Sequence, residues 1–288
     1  MCIDSSLKPS SSAKGWAMID GIDVSYWQGA IDWSPVAGDG KRFAVIRGGD
    51  GRFRDPRRVE YARAASRAGL IINAYHFLRW QIPAAEMADI CRESYDEVQT
   101  PAGQKGRLWL DAEDTDPGPK SLGWLKAVIA GLGDIRLGIY TGAWWWNPAI
   151  PASHGLGDLP LWFAHYPQEN TIHSDPTESG VAPVLPNGWE KWAIWQYSST
   201  GTVAGIGSWV DLNVAQDGVF DEEEQDMAKL IQSVDGDERG PYYIVGSNGR
   251  RRTIKNVAEL RALVKADVIP SVRPKELTSD EVKAIPTE

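Results

Sequence analysis

Eight short apolar runs along the first 218 residues constrain this fold more than any other feature of the chain. They lie at 21–26 (GIDVSY), 43–47 (FAVIR), 70–78 (LIINAYHFL), 107–113 (RLWLDAE), 135–141 (IRLGIYT), 161–166 (LWFAHY), 192–197 (WAIWQY) and 209–214 (WVDLNV). Each is nearly continuous in apolar character rather than alternating, the pattern of strands covered on both faces. Helical signals fill the early gaps. Asp55-Pro56 sets a capping Asp and a first-turn Pro ahead of Val59, Ala62 and Ala65, and Gly69 ends that pattern. Pro83 opens a second helix to Val98, and Ser121 caps a third that carries Leu122, Leu125, Val128 and Ile129 on one face. Beyond Thr141 the links become rich in Pro, Gly and Trp. Alternation that fades in this way points to an α/β chain, a β/α barrel of eight strands with degenerate late helices.

Composition narrows the function classes. The chain has 288 residues, 39 acidic and 30 basic, for a net charge of −9. Such a chain gains nothing from counterion release on a nucleic-acid backbone, so nucleic acid is not an expected partner. No apolar run approaches the ~18 residues of a spanning helix, so membrane insertion is not expected. Cys2 and Cys91 form neither a disulfide framework nor a CxxC metal pair and read as two free thiols. Residues 1–18 form a polar, Ser-rich tail without the apolar core of a secretion signal. All 14 Trp precede residue 219, and an acidic run at 221–226 follows. The boundaries placed on this basis are a tail at 1–18, a barrel at 19–218, an acidic linker at 219–238 and a small module at 239–288. In the module, 242–245 and 252–254 flank Asn248-Gly249, a hairpin turn signal. Asn256 and Glu259 then make a capping-box-like helix start ahead of Val257, Leu260, Leu263 and Val264. This ββα-like unit is too small to be stable alone and calls for a partner surface, and the chain after Pro270 reads as extended or disordered.

In β/α barrels chemistry sits at the carboxyl ends of the strands. The polar residues there are Asp23 and Ser25, Tyr75 and His76, Asp111, Glu113 and Asp114, Tyr140, His165 and Tyr166, Gln196 and Tyr197, and Asp211 and Asn213. Asp111 and Glu113 carry most weight. Two residues apart on a strand, they share a face about 7 Å apart. Burial and mutual repulsion raise the pKa of at least one, so that one donates a proton while the other stays ionised. Glycosidic cleavage needs that division of labour. A bare DxE is also an ordinary polar strand end, and the barrel context is what gives this one meaning. Asp211 lies inside an apolar run, where a carboxylate is costly unless paired or functional. Asp23 is placed similarly, though a turn-capping Asp has the same signature.

Trp27, Tyr75, Tyr140, Trp195 and Tyr197 are candidates to floor a sugar-binding groove, each also being an ordinary core aromatic. Of the three consecutive indoles at 144–146, at least one must face a groove or a partner. His76 and His165 fall at strand ends, but no HxH or HxxxH pair exists, so they read as neutral groove partners and no metal is expected. No nucleophile elbow, phosphate loop or dinucleotide fingerprint occurs, and no cofactor is expected.

These residues resemble glycoside hydrolase family 25, the N-acetylmuramidase type of lysozyme. The blocks are 21–29 (GIDVSYWQG), 74–77 (AYHF), 110–113 (LDAE), and 195–197 (WQY) followed by Gly205-Ile206 and 210–213 (VDLN), in family order. The resemblance implies a flattened, irregular barrel that hydrolyses the β-1,4 bond from N-acetylmuramic acid to N-acetylglucosamine in bacterial peptidoglycan. By position it implies Glu113 as general acid/base, Asp111 as the carboxylate that orients the substrate N-acetyl group, and Asp23 and Asp211 as the other acids. It matches Tyr75, Tyr140 and Gln196 to groove positions. Residues 78–80 (LRW) depart from a polar loop after the AYHF block. The C-terminal part, 219–288, has no counterpart, and wall contact and self-association both stand open for it. With no secretion signal the arrangement resembles a bacteriophage endolysin, held in the host cytoplasm until a holin-type route releases it to the wall. Two other classes compete: a non-catalytic peptidoglycan-binding barrel that keeps the groove, and a metal-dependent deacetylase built on His76 and His165.

Overall fold

The computed structural model describes residues 18–118, 120–167, 182–216 and 218–220, and in the C-terminal part 229–235, 238–245, 251–254, 275–277, 279–284 and 287. Strands β1 (Ile19–Val24), β2 (Phe43–Asp50), β3 (Phe53–Arg54), β4 (Ile71–Phe77), β5 (Leu108–Asp111), β6 (Leu137–Gly142), β7 (Leu161–Ala164), β8 (Ile194–Gly201) and β9 (Val210–Ala215) form one sheet. Its order is β1-β9-β8-β7-β6-β5-β4-β2-β3, and a further β1–β2 pairing closes it into an eight-stranded barrel with β3 hairpinned onto β2. All eight apolar runs are barrel strands. The glycine-rich stretch after Arg47, which reads as a loop, instead extends β2 to Asp50.

Helices α1 (Trp33–Gly38), α2 (Arg58–Arg67), α3 (Ala84–Ala102) and α4 (Leu122–Leu132) belong to the first half of the barrel. Ser121 caps α4 by accepting the Trp124 N–H. After β6 only α5 (Ala143–Ala149) is present among the described barrel residues, and it holds the three consecutive indoles. Seven barrel strands run parallel, and β9 is antiparallel to both β1 and β8. That reversal is part of the irregularity of this eight-stranded barrel. Asp211 therefore lies at the start of its strand, and the reversal carries it to the rim where the other strands end.

Side-chain parity separates two cores. Ile22, Val24, Ala44, Ile46, Ile72, Ala74, Leu108, Leu110, Phe163 and Leu212 pack outward with the helices. Phe43, Val45, Ile71, Trp109, Tyr140, Trp162 and Ile194 fill the interior, and the Phe220 ring packs at a tilt against Phe43 with centroids 4.8 Å apart. Large interior rings need small neighbours. A Cβ on Gly138 would meet the Trp109 ring at 2.3 Å, and one on Gly21 would meet Phe43 at 2.4 Å. The result is a packed interior with a polar top, as the barrel architecture requires.

The C-terminal residues form a second sheet of β10 (Lys229–Asp235), β11 (Glu238–Val245), β12 (Arg251–Thr253) and β13 (Lys275–Leu277), ordered β12-β11-β10-β13. The β11–β12 pair is the expected hairpin, with Tyr243 opposite Thr253. Two expectations are corrected. The acidic linker contains β10, which pairs with β11, and the expected extended tail supplies both β13 and the helix α6 (Ser279–Ala284). The unit is therefore richer in strands than a ββα module. The helix expected from Asn256 lies outside the described residues, as do the 1–18 tail up to residue 17, Cys2 and the Asn248-Gly249 turn. Among the described residues, no helix is long and apolar enough to cross a membrane.

Candidate active site

Strand parity decides which polar side chains meet. Asp23 (β1), Tyr75 (β4), Asp111 (β5), Tyr140 (β6), Gln196 (β8) and Asp211 and Asn213 (β9) alternate with the outward apolar residues and so share the barrel interior near its carboxyl rim. Glu113, two residues past Asp111, keeps the same parity.

Asp23 is the hub of a hydrogen-bond network. Its Oδ2 accepts from Gln196 Nε2 at 2.8 Å and from Asn213 Nδ2 at 2.7 Å. Gln196 Oε1 in turn accepts from the hydroxyls of Tyr140 (2.8 Å) and Tyr166 (2.7 Å). Asn213 Oδ1 accepts from Trp162 Nε1 at 2.8 Å. Both amides are thus oriented by donors that leave only their N–H groups for Asp23. Asp111 and Glu113 differ: Asp111 Oδ1 and Glu113 Oε1 are buried and lack any hydrogen-bond partner. Buried polar atoms are nearly always satisfied, so two orphaned carboxyl oxygens mark where a substrate binds.

The electrostatics follow from this crowding. Burial pushes Glu113 up to about 7, opposed by the Gly142 backbone N–H and reinforced by the charge of Asp23. Burial holds Asp111 well above the usual carboxylate range, and the charges of Glu113 and Asp23 add to it. Burial raises Asp23 to about 6 against its two amide donors. Asp211 is raised by burial and then by Asp23. At neutral pH such a quartet holds protons that free carboxyls would have lost.

Three expected groove residues lie elsewhere. His76 faces outward, with Nδ1 2.9 Å from Ser94 Oγ of α3 and Nε2 3.1 Å from the Gly51 carbonyl, and burial pushes its ring down to about 4. Trp195 and Tyr197 flank the inward Gln196 and therefore pack into the outer core; Trp195 Nε1 donates to the His165 carbonyl at 2.7 Å. His165 stacks on Trp195, so the two histidines are engaged on the outer layer and do not join the acids. Among the described residues, no group of three or more His, Cys, Asp or Glu is disposed to hold a metal ion. Trp27 lies just past β1, 70% exposed, on the barrel lip. Tyr75 is half-buried beneath the acids, edge-on to Trp162.

Three residues to which the sequence assigns no particular role join the site: Tyr166 and Asn213, from the strand-end set, and Trp144, from the indole run at 144–146. The first two stand at strand ends like the others, and their parity with Asp211 and Ala164 was the available signal. Trp144 is 61% exposed, while Trp145 and Trp146 are buried. A Cβ on Gly142 would meet Trp144 Nε1 at 2.3 Å and Glu113 Oε1 at 3.2 Å, so this indole lies beside the unpartnered carboxyl oxygen.

One protonated carboxyl beside ionisable neighbours, open to a rim lined by aromatic rings, is the equipment of glycosidic bond hydrolysis, and on this barrel it defines a glycoside hydrolase. The chain belongs to the glycosyl hydrolases family 25, whose pattern spans residues 22–206. It is 32% identical over 212 residues to Lysozyme M1 of Streptomyces globisporus, covering 68% of this chain and 67% of that protein. The crystal structure of the bacterial lysozyme from Streptomyces coelicolor superimposes with a TM-score of 0.56 at 29% identity, over 69% of this chain and 92% of that one. The catalytic domain of endolysin ply40 from bacteriophage P40 of Listeria monocytogenes shares the fold, with a TM-score of 0.55 at 21% identity over 72% and 98% of the two chains.

Proposed function

We propose that this enzyme cleaves the β-1,4 bond between N-acetylmuramic acid and N-acetylglucosamine in bacterial peptidoglycan, with Glu113 as general acid/base. The observation that carries the reading is the Glu113 carboxyl, raised to about 7 by burial, with Oε1 unpartnered at the rim. A carboxyl tuned close to operating pH is suited to both giving and taking a proton. In the first step Glu113 protonates the departing glycosidic oxygen. The carbonyl oxygen of the substrate's own N-acetyl group attacks the anomeric carbon, and Asp111 Oδ1 orients that group through its N–H. The sugar is released from its neighbour as a cyclic cation. In the second step the Glu113 carboxylate takes a proton from water, which opens the ring and restores both partners. Asp23 and Asp211 add negative potential under the developing positive charge, and the tyrosine–Gln196 relay fixes Asp23.

Mass spectrometry of fragments from reducing-end-labelled peptidoglycan tests the reading. New reducing ends on N-acetylmuramic acid are expected, and Glu113→Gln should lower turnover by about 10²–10⁴. Reducing ends on N-acetylglucosamine instead, or bound but intact glycan, would overturn it. A role in lysing a host wall from within belongs to the same proposal, supported by the fold shared with the Listeria phage enzyme. Cytoplasmic expression without harm, followed by rapid lysis once the inner membrane is permeabilised, is the expected outcome.

A further inference from the structure

We infer that a second carbohydrate platform, formed by Trp27 and Trp209, holds a sugar unit of the glycan strand outside the catalytic quartet; this rests on the glycan-hydrolase reading above. Trp27 is 70% exposed and Trp209 67%, more than any other large hydrophobic residue described. The two line one open cavity of about 600 Å³ together with Gln28, Ile206, Gly207 and Ser208. That volume falls within the ~300–1,000 Å³ of small-molecule sites.

The platform is built rather than incidental. Ser25 and Gln28 form a reciprocal capping box around the turn that carries Trp27, and Tyr26 stacks on the Trp27 ring at 4.5 Å. Gln28 Nε2 donates to the Trp209 carbonyl at 3.2 Å. Ile31 bridges to Ile206, and the Asp32 N–H donates to the Gly205 carbonyl at 2.9 Å. The loop after β1 and the loop before β9 are therefore strapped together, with both indoles left facing solvent.

Its occupant follows from continuity with the cleft. Asp23 and Asp211 are register partners on β1 and β9. Trp209 stands two residues before Asp211, about 7 Å at strand rise, and Trp27 stands just beyond the end of β1. A polymer bound across the quartet that leaves by this lip meets the two indoles next. A pyranose offers a flat C–H face to an indole and hydroxyls to polar neighbours, here Gln28 and Ser208. The chemical class is thus a sugar of the same strand, one or two units from the cleaved bond.

The test compares wild type with Trp27→Ala, Trp209→Ala and the double variant on glycan strands of graded length. The expected result is a rise in KM of about tenfold per indole on long strands. The effect should shrink with strand length, move kcat less than KM, and be largely rescued by Phe. Binding of uncleaved strands to the Glu113→Gln protein, read by tryptophan fluorescence, should weaken by the same factor when both indoles are removed. Equal losses at every length, or unchanged strand binding after the double substitution, would overturn the platform. If wild type releases no reducing ends, the enzymatic reading fails, and the fluorescence titration still decides whether the platform binds glycan.

Discussion

Asp23 and Asp211 face each other as register partners across the antiparallel pair β1–β9. Like charges directly opposite on neighbouring strands repel, and here Asp23 is buried and Asp211 partly buried. The two are not equivalent, because Asp23 accepts two oriented amide N–H groups and the charge of Asp23 raises Asp211. The pair therefore settles with Asp23 ionised first. Asp211→Asn should stabilise the fold by about 0.5–1 kcal/mol at pH 7 by removing the repulsion. Asp23→Asn should destabilise it by about 1–3 kcal/mol, since both donors point at the one oxygen Oδ2 and a neutral amide oxygen there replaces a charge-assisted acceptor by a weaker one. Thermal denaturation of the two variants side by side checks this, and shifts of the same sign would contradict it.

The pH–rate profile should be narrow. The general acid must be protonated, so kcat/KM falls as pH rises through about 7, where Glu113 loses its proton. It falls again as pH drops below about 6, where Asp23 takes one up. The two limbs belong to the coupled cluster as a whole. Initial rates on soluble glycan between pH 4 and 9 at constant ionic strength read them directly, and a flat profile from 5 to 9 would remove Glu113 from the acid role.

The same raised carboxyl costs stability. A group whose folded pKa exceeds its unfolded value stabilises the fold fully below the unfolded pKa, and this is lost as pH rises through the folded one. For Glu113 that window runs from 4.5 to about 7. Glu113→Gln carries no charge to desolvate. It should match wild type near pH 4 and exceed it above pH 7 by roughly 3 kcal/mol, the linkage value of a shift of that size. Denaturant midpoints at pH 4 and pH 8 give the comparison.

Arg79 ties the loop that bears Glu113 to two others. Its Nε and Nη2 donate to both oxygens of Asp50 at 2.6 and 2.8 Å, and Nη1 donates to Asp114 (3.1 Å) and Asp116 (2.9 Å). Asp114 is buried, directly follows Glu113, and its carbonyl accepts from Trp145 Nε1 at 3.0 Å. The end of β2 and the residues after β4 and β5 are locked through one guanidinium. Arg79→Ala should lower kcat by about 10–10² with a smaller change in KM, because a small displacement of a catalytic group is costly. Arg79→Lys should recover little, lacking the fork that grips Asp50. An unchanged kcat in the alanine variant would dismiss this positioning role.

Much of this was legible in the primary structure, for a physical reason. Strands covered on both faces are apolar throughout, so each barrel strand stood out as a run. An apolar run has no polarity, however, so the reversal of β9 did not show in its composition. The clue was the connection 202–209, too short for the dozen or more residues that a parallel crossover needs. The acids were found because a carboxylate inside an apolar run is anomalous. Parity was the underused signal: once Gln196 points inward, Trp195 and Tyr197 must point outward, and likewise His76 beside Tyr75. The strands β10 and β13 were not legible because the acidic run before β10 masks its apolar residues and β13 is only three residues long.

His76 supplies the sharpest test of that parity argument. It bridges Ser94 and the Gly51 carbonyl on the outer face, and burial lowers its pKa to about 4. A histidine depressed in this way stabilises the fold above its unfolded value, ordinarily ~6.5, and that contribution is lost as pH falls toward 4. His76→Ala leaves two buried polar partners unsatisfied and a cavity between β4 and α3. It should cost about 2–4 kcal/mol at pH 7, and the gap to wild type should narrow between pH 6.5 and 4. Activity per folded molecule should stay within about threefold, because the ring faces away from the quartet. Unfolding midpoints at the two pH values, with kcat/KM measured well below the melting temperature, separate the roles. A hundredfold loss of kcat/KM in a folded variant would return His76 to the groove.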